Sequence, residues 1–136
     1  MSHSILVVDD AESILFAIRV FFQAKGFAVD CARELEEAEA LLANRTYDAV
    51  IVDLRLTGFQ GTEGLEIISY VREISSKTRV ILITSFGSPE IEQEARRRGV
   101  DAFLHKPVAL PDLAMLVSSL LVGSQDDAGT LQVAGN

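Results

Sequence analysis

The chain has 136 residues, 49% of them hydrophobic, which is enough for one domain with a buried core and too apolar for wholesale disorder. Twelve basic residues against twenty acidic ones leave a formal charge of -8, which argues against direct binding of nucleic acid or an anionic membrane. Cys31 is the lone cysteine, so an internal disulfide and a cysteine-built metal cluster are excluded.

The first predicted strand, SILVV, runs straight into two adjacent carboxylates, Asp9 and Asp10. Acids there can cap the next helix or serve as ligands, and this stretch does not separate the two. ESILFAIRVFFQAKG follows with helical periodicity and closes on Gly26, a C-cap residue. Its predicted core stripe is Ile14, Ala17, Ile18, Phe21 and Phe22, which leaves Leu15, Phe16 and Val20 toward the flank or outside.

AVDCA then precedes LEEAEALLANR, and DAVIVD precedes GLEIISYVREIS. RVILIT precedes SPEIEQEARRRG, whose early acids Glu90, Glu92 and Glu94 and late bases Arg96, Arg97 and Arg98 complement a helix dipole. DAFLH precedes PDLAMLVSSLLV, a helix with Asp112 as its one charge and too apolar for an ordinary wet face. The runs Val50 to Val52 and Val80 to Ile83 are uninterrupted and rich in β-branched residues, as strands buried on both faces of a parallel sheet are.

Five strand and helix pairs predict an α/β three-layer sandwich over residues 4–122, with central strands at Ile5 to Val8, Ala49 to Val52 and Val80 to Ile83. Residues 123–136, rich in small and polar side chains, read as a flexible tail or the start of a linker. No signal peptide is legible and no apolar run approaches ~20 residues, so the expectation is a cytoplasmic protein.

In an open parallel sheet ligands bind beyond the carboxyl ends of the strands. Asp9 and Asp10, Asp53, Thr84, and Lys106 with Pro107 stand at those ends. Two unit charges ~4 Å apart repel by roughly 1 kcal/mol in bulk water and ~4 kcal/mol at an effective dielectric near 20. Lys106 offsets one carboxylate, and the remaining oxygen ligands suit Mg²⁺, which makes better sense of the paired acids than capping does. A metal beside a third carboxylate points to phosphoryl chemistry, with Asp53 as the nucleophile that forms an aspartyl phosphate.

LVVDD, VIVDLRL, VILITS and AFLHKP together resemble the receiver domains of two-component response regulators, over roughly Ile5 to Val122. The resemblance implies a flavodoxin-like, CheY-like sheet of five parallel strands in order 2-1-3-4-5. It implies phosphorylation of Asp53, Mg²⁺ held by Asp9, Asp10, Asp53 and the carbonyl of Arg55, and contacts from Thr84 and Lys106 to the phosphoryl group. Phe103 matches the switch aromatic that turns inward when Thr84 moves, and the Lys106 to Pro107 bond is expected to be cis. The phosphoryl donor would be a phosphohistidine on a sensor histidine kinase or histidine phosphotransfer protein, whose four-helix bundle would dock on Leu15, Phe16 and Val20. A homodimer through the fourth helix, fifth strand and fifth helix would cover the apolar last helix.

The sequence departs from the family after Asp53. Thr57 stands where a proline is usual, and both Gly61 and Gly64 can open the third helix; Gly64 suits the local sequence better and implies an insertion of about three residues. Arg55 and Phe86 would face the rim of the site and tune hydrolysis, while His3 and His105 are assigned no chemistry. The competing classes are a flavin or nucleotide module, which would want backbone donors where DDAES stands, and an aspartyl-phosphate phosphatase, which would want an acid at position 55.

Overall fold

The computed structural model describes residues 3–54, 63–85 and 87–125, the last three by backbone alone. The element order is β1 (Ser4–Val8), α1 (Glu12–Ala24), β2 (Ala28–Ala32), α2 (Leu35–Asn44), β3 (Ala49–Asp53), α3 (Glu63–Ile74), β4 (Arg79–Thr84), α4 (Pro89–Arg98), β5 (Ala102–His105) and α5 (Leu110–Gln125). All strand pairs are parallel and the sheet runs β2-β1-β3-β4-β5, the order the resemblance implies.

The period-two alternation of a strand divides the core into two layers. Leu6, Val8, Val50, Val52, Val80 and Leu82 pack with Ala38 and Leu42 of α2, Leu65, Ile68 and Val71 of α3, and Ala95 of α4. Ile5, Val7, Ile51, Ile81 and Ile83 pack with Leu15, Ile18 and Phe22 of α1 and with Leu113, Val117 and Leu121 of α5. The three central strands are therefore sealed on both faces, and their polar groups can emerge only at the ends.

The buried face of α1 is centred on Leu15, Ile18 and Phe22, with Ile14 and Phe21 packed at its margins. This corrects two expectations from the sequence. Leu15 is only 4% exposed and cannot belong to a surface patch, whereas Ala17 is exposed. At ~100° per residue, the bulky trio at spacings of three and four turns the helix slightly away from the stripe that Ala17 would share. Phe16 and Val20 remain outside, at 62% and 49% exposure.

At the other edge, α4 is capped as its sequence demands. The Ser88 Oγ accepts from the Ile91 N–H at 3.2 Å, Pro89 opens the helix, and Gly99 closes it with a left-handed φ of 105°. Arg96 pairs with Glu92 at 2.8 Å and Arg98 with Glu94 at 2.7 Å. At the amino end of the sheet, Arg72 of α3 donates to the carbonyls of Thr78 and Gly99 and to Asp101, which also accepts from the Val80 N–H at 2.8 Å. That network pins the entry into β4 and the turn between α4 and β5.

One glycine places the strand that matters most. The Gly64 N–H donates to the Leu54 carbonyl at 2.9 Å, and a Cβ at position 64 would stand 2.7 Å from the Asp53 carbonyl oxygen and from the Leu54 Cα. Only a residue without a side chain lets α3 close this tightly on the end of β3. Gly61 and Thr57, and with them the length of any insertion, lie outside the described residues. Gly64→Ala is expected to cost about 1–3 kcal/mol in a denaturant titration, since backbone rather than a pliable side chain must give way; an unchanged midpoint would show that α3 is free to retreat from Asp53.

Candidate functional site

β1 and β3 are neighbours, with Val8 level with Val52, so the next residues, Asp9 just past β1 and Asp53 at the last position of β3, stand side by side at the carboxyl edge of the sheet. Both continue the odd-numbered face that carries Val7 and Ile51. Their side chains are 7% and 11% exposed. Asp10 follows on the exposed side, and oxygens of Asp9, Asp10 and Asp53 lie within 4.8 Å of one another.

Lys106, the first residue after β5, completes the cluster. Its Nζ is 3.3 Å from Asp9 Oδ2 and 3.3 Å from Asp53 Oδ2. Its backbone N–H donates to the Thr84 carbonyl at 2.9 Å, so the ladder between β4 and β5 fixes where the amine starts. Thr84 is buried at the end of β4, and the Lys106–Pro107 peptide bond is cis.

The two readings of the paired acids now separate. The N-cap of α1 is Ala11, with no side-chain cap, so neither aspartate occupies that position. Asp9 Oδ1 does accept from the Ala11 N–H at 2.9 Å, which orients the carboxylate and leaves Oδ2 toward Lys106. Three carboxylates against one ammonium leave two negative charges in the patch. The donor set is all oxygen and crowded, which fits a hard divalent cation.

Phe103 is half-buried against the core layer of α4, and its ring meets that of His105 edge to face at a centroid distance of 5.5 Å. A Cβ at Gly87 would stand 3.0 Å from the Phe103 ring, so the turn after β4 lies directly on it. His105 itself is exposed on the Phe103 side of the strand. Arg55 and Phe86, assigned to the rim from sequence, lie outside the described residues.

A family model described as the response regulator receiver domain matches residues 5–118. The chain belongs to that family. Among relatives, the response regulator protein PilR of Pseudomonas aeruginosa is 32% identical over 116 residues, covering 85% of this chain and 25% of PilR. The chain thus spans about a quarter of that relative's length. A CheY-like receiver domain protein from Methanospirillum hungatei superposes with a TM-score of 0.87 at 23% identity, covering 94% of this chain and 100% of the other. The beryllofluoride-activated NtrC4 receiver domain dimer superposes with a TM-score of 0.80 at 27% identity, covering 89% and 98%.

As a receiver domain, the chain is a signalling module of two-component systems. Among the described residues no helix is long and apolar enough to cross a membrane. The electrostatics of the receiver site turn on Lys106. Partial burial by itself lowers the pKa of its ammonium, but the Asp9 and Asp53 carboxylates outweigh burial and the net displacement is upward.

A group whose pKa is raised by folding contributes stability in full below its unfolded value, near ~10.4 for lysine, and loses it as the pH climbs through the folded value. Lys106→Met is therefore expected to be less stable than the parent chain at about pH 8, with the deficit shrinking at about pH 11. Paired denaturant titrations check this; a deficit that stays constant or widens at the alkaline pH would show that the charge of Lys106 is not what steadies the carboxylates.

Proposed function

We propose that this receiver domain is a Mg²⁺-dependent switch that accepts a phosphoryl group on Asp53. The observation that carries the reading is the sharing of one lysine by two enclosed carboxylates, Asp9 and Asp53, with Asp10 close by. Asp9, Asp10, Asp53 and the carbonyl of Arg55 would hold the magnesium ion. When bound, the ion supplies charge neutralisation that lets a carboxylate approach an anionic phosphoryl group.

Asp53 is the natural nucleophile because its carboxylate already lies against Lys106 and within 4.8 Å of the other two acids. Its oxygen forms the new bond to phosphorus while the donor's bond breaks, and the product is an aspartyl phosphate. Lys106 then pairs with the transferred group, and the Thr84 hydroxyl donates to it. A shift of Thr84 is transmitted to Phe103, two strand positions from His105 and in contact with the turn that carries Gly87. Phosphorylation needs to favour the switched state by only a few kcal/mol to change its population greatly.

The donor on this reading is a phosphohistidine of a sensor kinase or phosphotransfer protein, docking by way of Phe16 and Val20 of α1. The face of α4, β5 and α5 changes with phosphorylation and pairs with a second copy; Met115 and Val122 of α5 are exposed apolar side chains, and the NtrC4 receiver is a dimer in its beryllofluoride-activated form. The domain promotes only its own phosphorylation and dephosphorylation and acts in the cytoplasm; α5 carries it to Gln125, three residues past the boundary at residue 122 that the sequence suggests.

Phosphoramidate with Mg²⁺ is expected to add one phosphoryl group to the parent chain by intact-protein mass spectrometry and none to Asp53→Asn. An equal mass gain in Asp53→Asn would overturn the assignment.

A further inference from the structure

The carboxylates form only one wall of an apolar cavity. A half-open space of about 320 Å³ lies between α1 and the segment that leads from Lys106 into α5, at the lower end of the volume range for small-molecule sites. Its walls are almost wholly apolar, with Ile14 and Ala17 of α1 on one side and Val108 on the other, and among the described residues its charged lining is confined to Asp9, Asp53 and Lys106. Two carboxylates against one ammonium leave one negative charge on that lining, and an oxygen of Asp10 lies within 4.8 Å of both acids. A hydrated Mg²⁺ ion has no use for hydrocarbon walls, and neither has a phosphoryl group that meets Asp53 from solvent.

We infer that this cavity binds a small primary alkylamine in its ammonium form, with a chain of about six carbons, and that the bound amine competes with Mg²⁺ and so opposes phosphorylation of Asp53. The competition rests on the reading of Asp9 and Asp53 as magnesium ligands; the binding rests only on the cavity and its charge. The ammonium meets the Asp9 and Asp53 carboxylates beside Lys106, where one added positive charge cancels the surplus of the lining. The hydrocarbon chain replaces water along Ile14, Ala17 and Val108. Each methylene buried this way strengthens binding by about fourfold, so four methylenes beyond ethylamine set a ceiling of roughly 250-fold. An anionic amphiphile of equal length gains the same apolar contact but meets two carboxylates, and an inorganic cation gains the charge but not the walls. Cation and chain together single out the amine. Mg²⁺ on the same carboxylates removes the surplus that holds the ammonium, and by linkage the amine weakens Mg²⁺ by the same factor.

NMR titrations of the full chain, in buffer free of divalent ions, compare ethylamine, hexylamine and hexanoate. Hexylamine is expected to bind at least tenfold tighter than either of the others and to shift Ala17 and Val108. Ala17→Leu, which fills the cavity from the exposed side of α1, is expected to remove the preference for hexylamine over ethylamine without changing labelling by phosphoramidate. Saturating MgCl₂ is expected to weaken hexylamine at least tenfold in the parent chain. Equal binding of the two amines, equal binding of hexylamine and hexanoate, or shifts confined to residues outside the cavity would overturn the inference. Undiminished hexylamine binding by the Mg²⁺-saturated chain would overturn the competition. Absence of Mg²⁺ uptake and of labelling by phosphoramidate would overturn the underlying reading, while the titrations without metal would still decide whether the cavity takes an amine.

Discussion

Like charge forced together at the edge of an apolar sheet is the constraint on which the rest of this structure depends. β1 and β3 are adjacent and sealed on both faces, so the polar residues that end them have nowhere to go except beside one another. The cost of crowding, ~4 kcal/mol per close pair at intermediate dielectric, is small beside the burial of two strands and their flanking helices, so the fold wins and the carboxylates must be accommodated. Lys106 supplies one counter-charge from across the sheet. On the proposed reading, the remaining excess makes the patch receptive to a cation and then to a phosphoryl group.

The scaffold delivers these groups with little freedom. Asp9 is oriented by the Ala11 N–H, Asp53 by the close approach of Gly64, and Lys106 by its backbone bond to Thr84. Because Lys106 and Thr84 share a ladder bond and Phe103 lies three residues before Lys106, the amine, the hydroxyl and the aromatic ring belong to one pair of strands. On the proposed reading, that common footing is what would let an event at Asp53 reach the exposed face of α4 and β5.

Much of this was legible in the sequence, and for definite reasons. Buried parallel strands read as unbroken runs such as VIV and VILI, so their ends, and hence Asp53 and Thr84, could be placed to the residue. The early acids Glu90, Glu92 and Glu94 and the late bases Arg96, Arg97 and Arg98 located α4. What escaped depended on three-dimensional detail. The rotation of α1, which buries Leu15 and exposes Ala17, is set by how Phe22 and Ile18 settle on the sheet, and a continuous apolar stretch fits either rotation. Arg72 spans three carbonyls and Asp101, an arrangement visible only once α3, β4 and β5 are assembled. The apolar cavity beside Asp53 had no sequence signal, since Ala17, Val108 and Leu113 meet only through the fold.

On the proposed reading, Asp9, Asp10 and Asp53, whose oxygens lie within 4.8 Å of one another, form a single divalent-ion site driven by its excess of negative charge. Isothermal titration of the chain with MgCl₂ tests it most directly. A single Mg²⁺ is expected to bind, and Asp9→Asn and Asp10→Asn are each expected to weaken it by at least tenfold. Absence of Mg²⁺ uptake by the parent chain, or affinity untouched by either substitution, would contradict it.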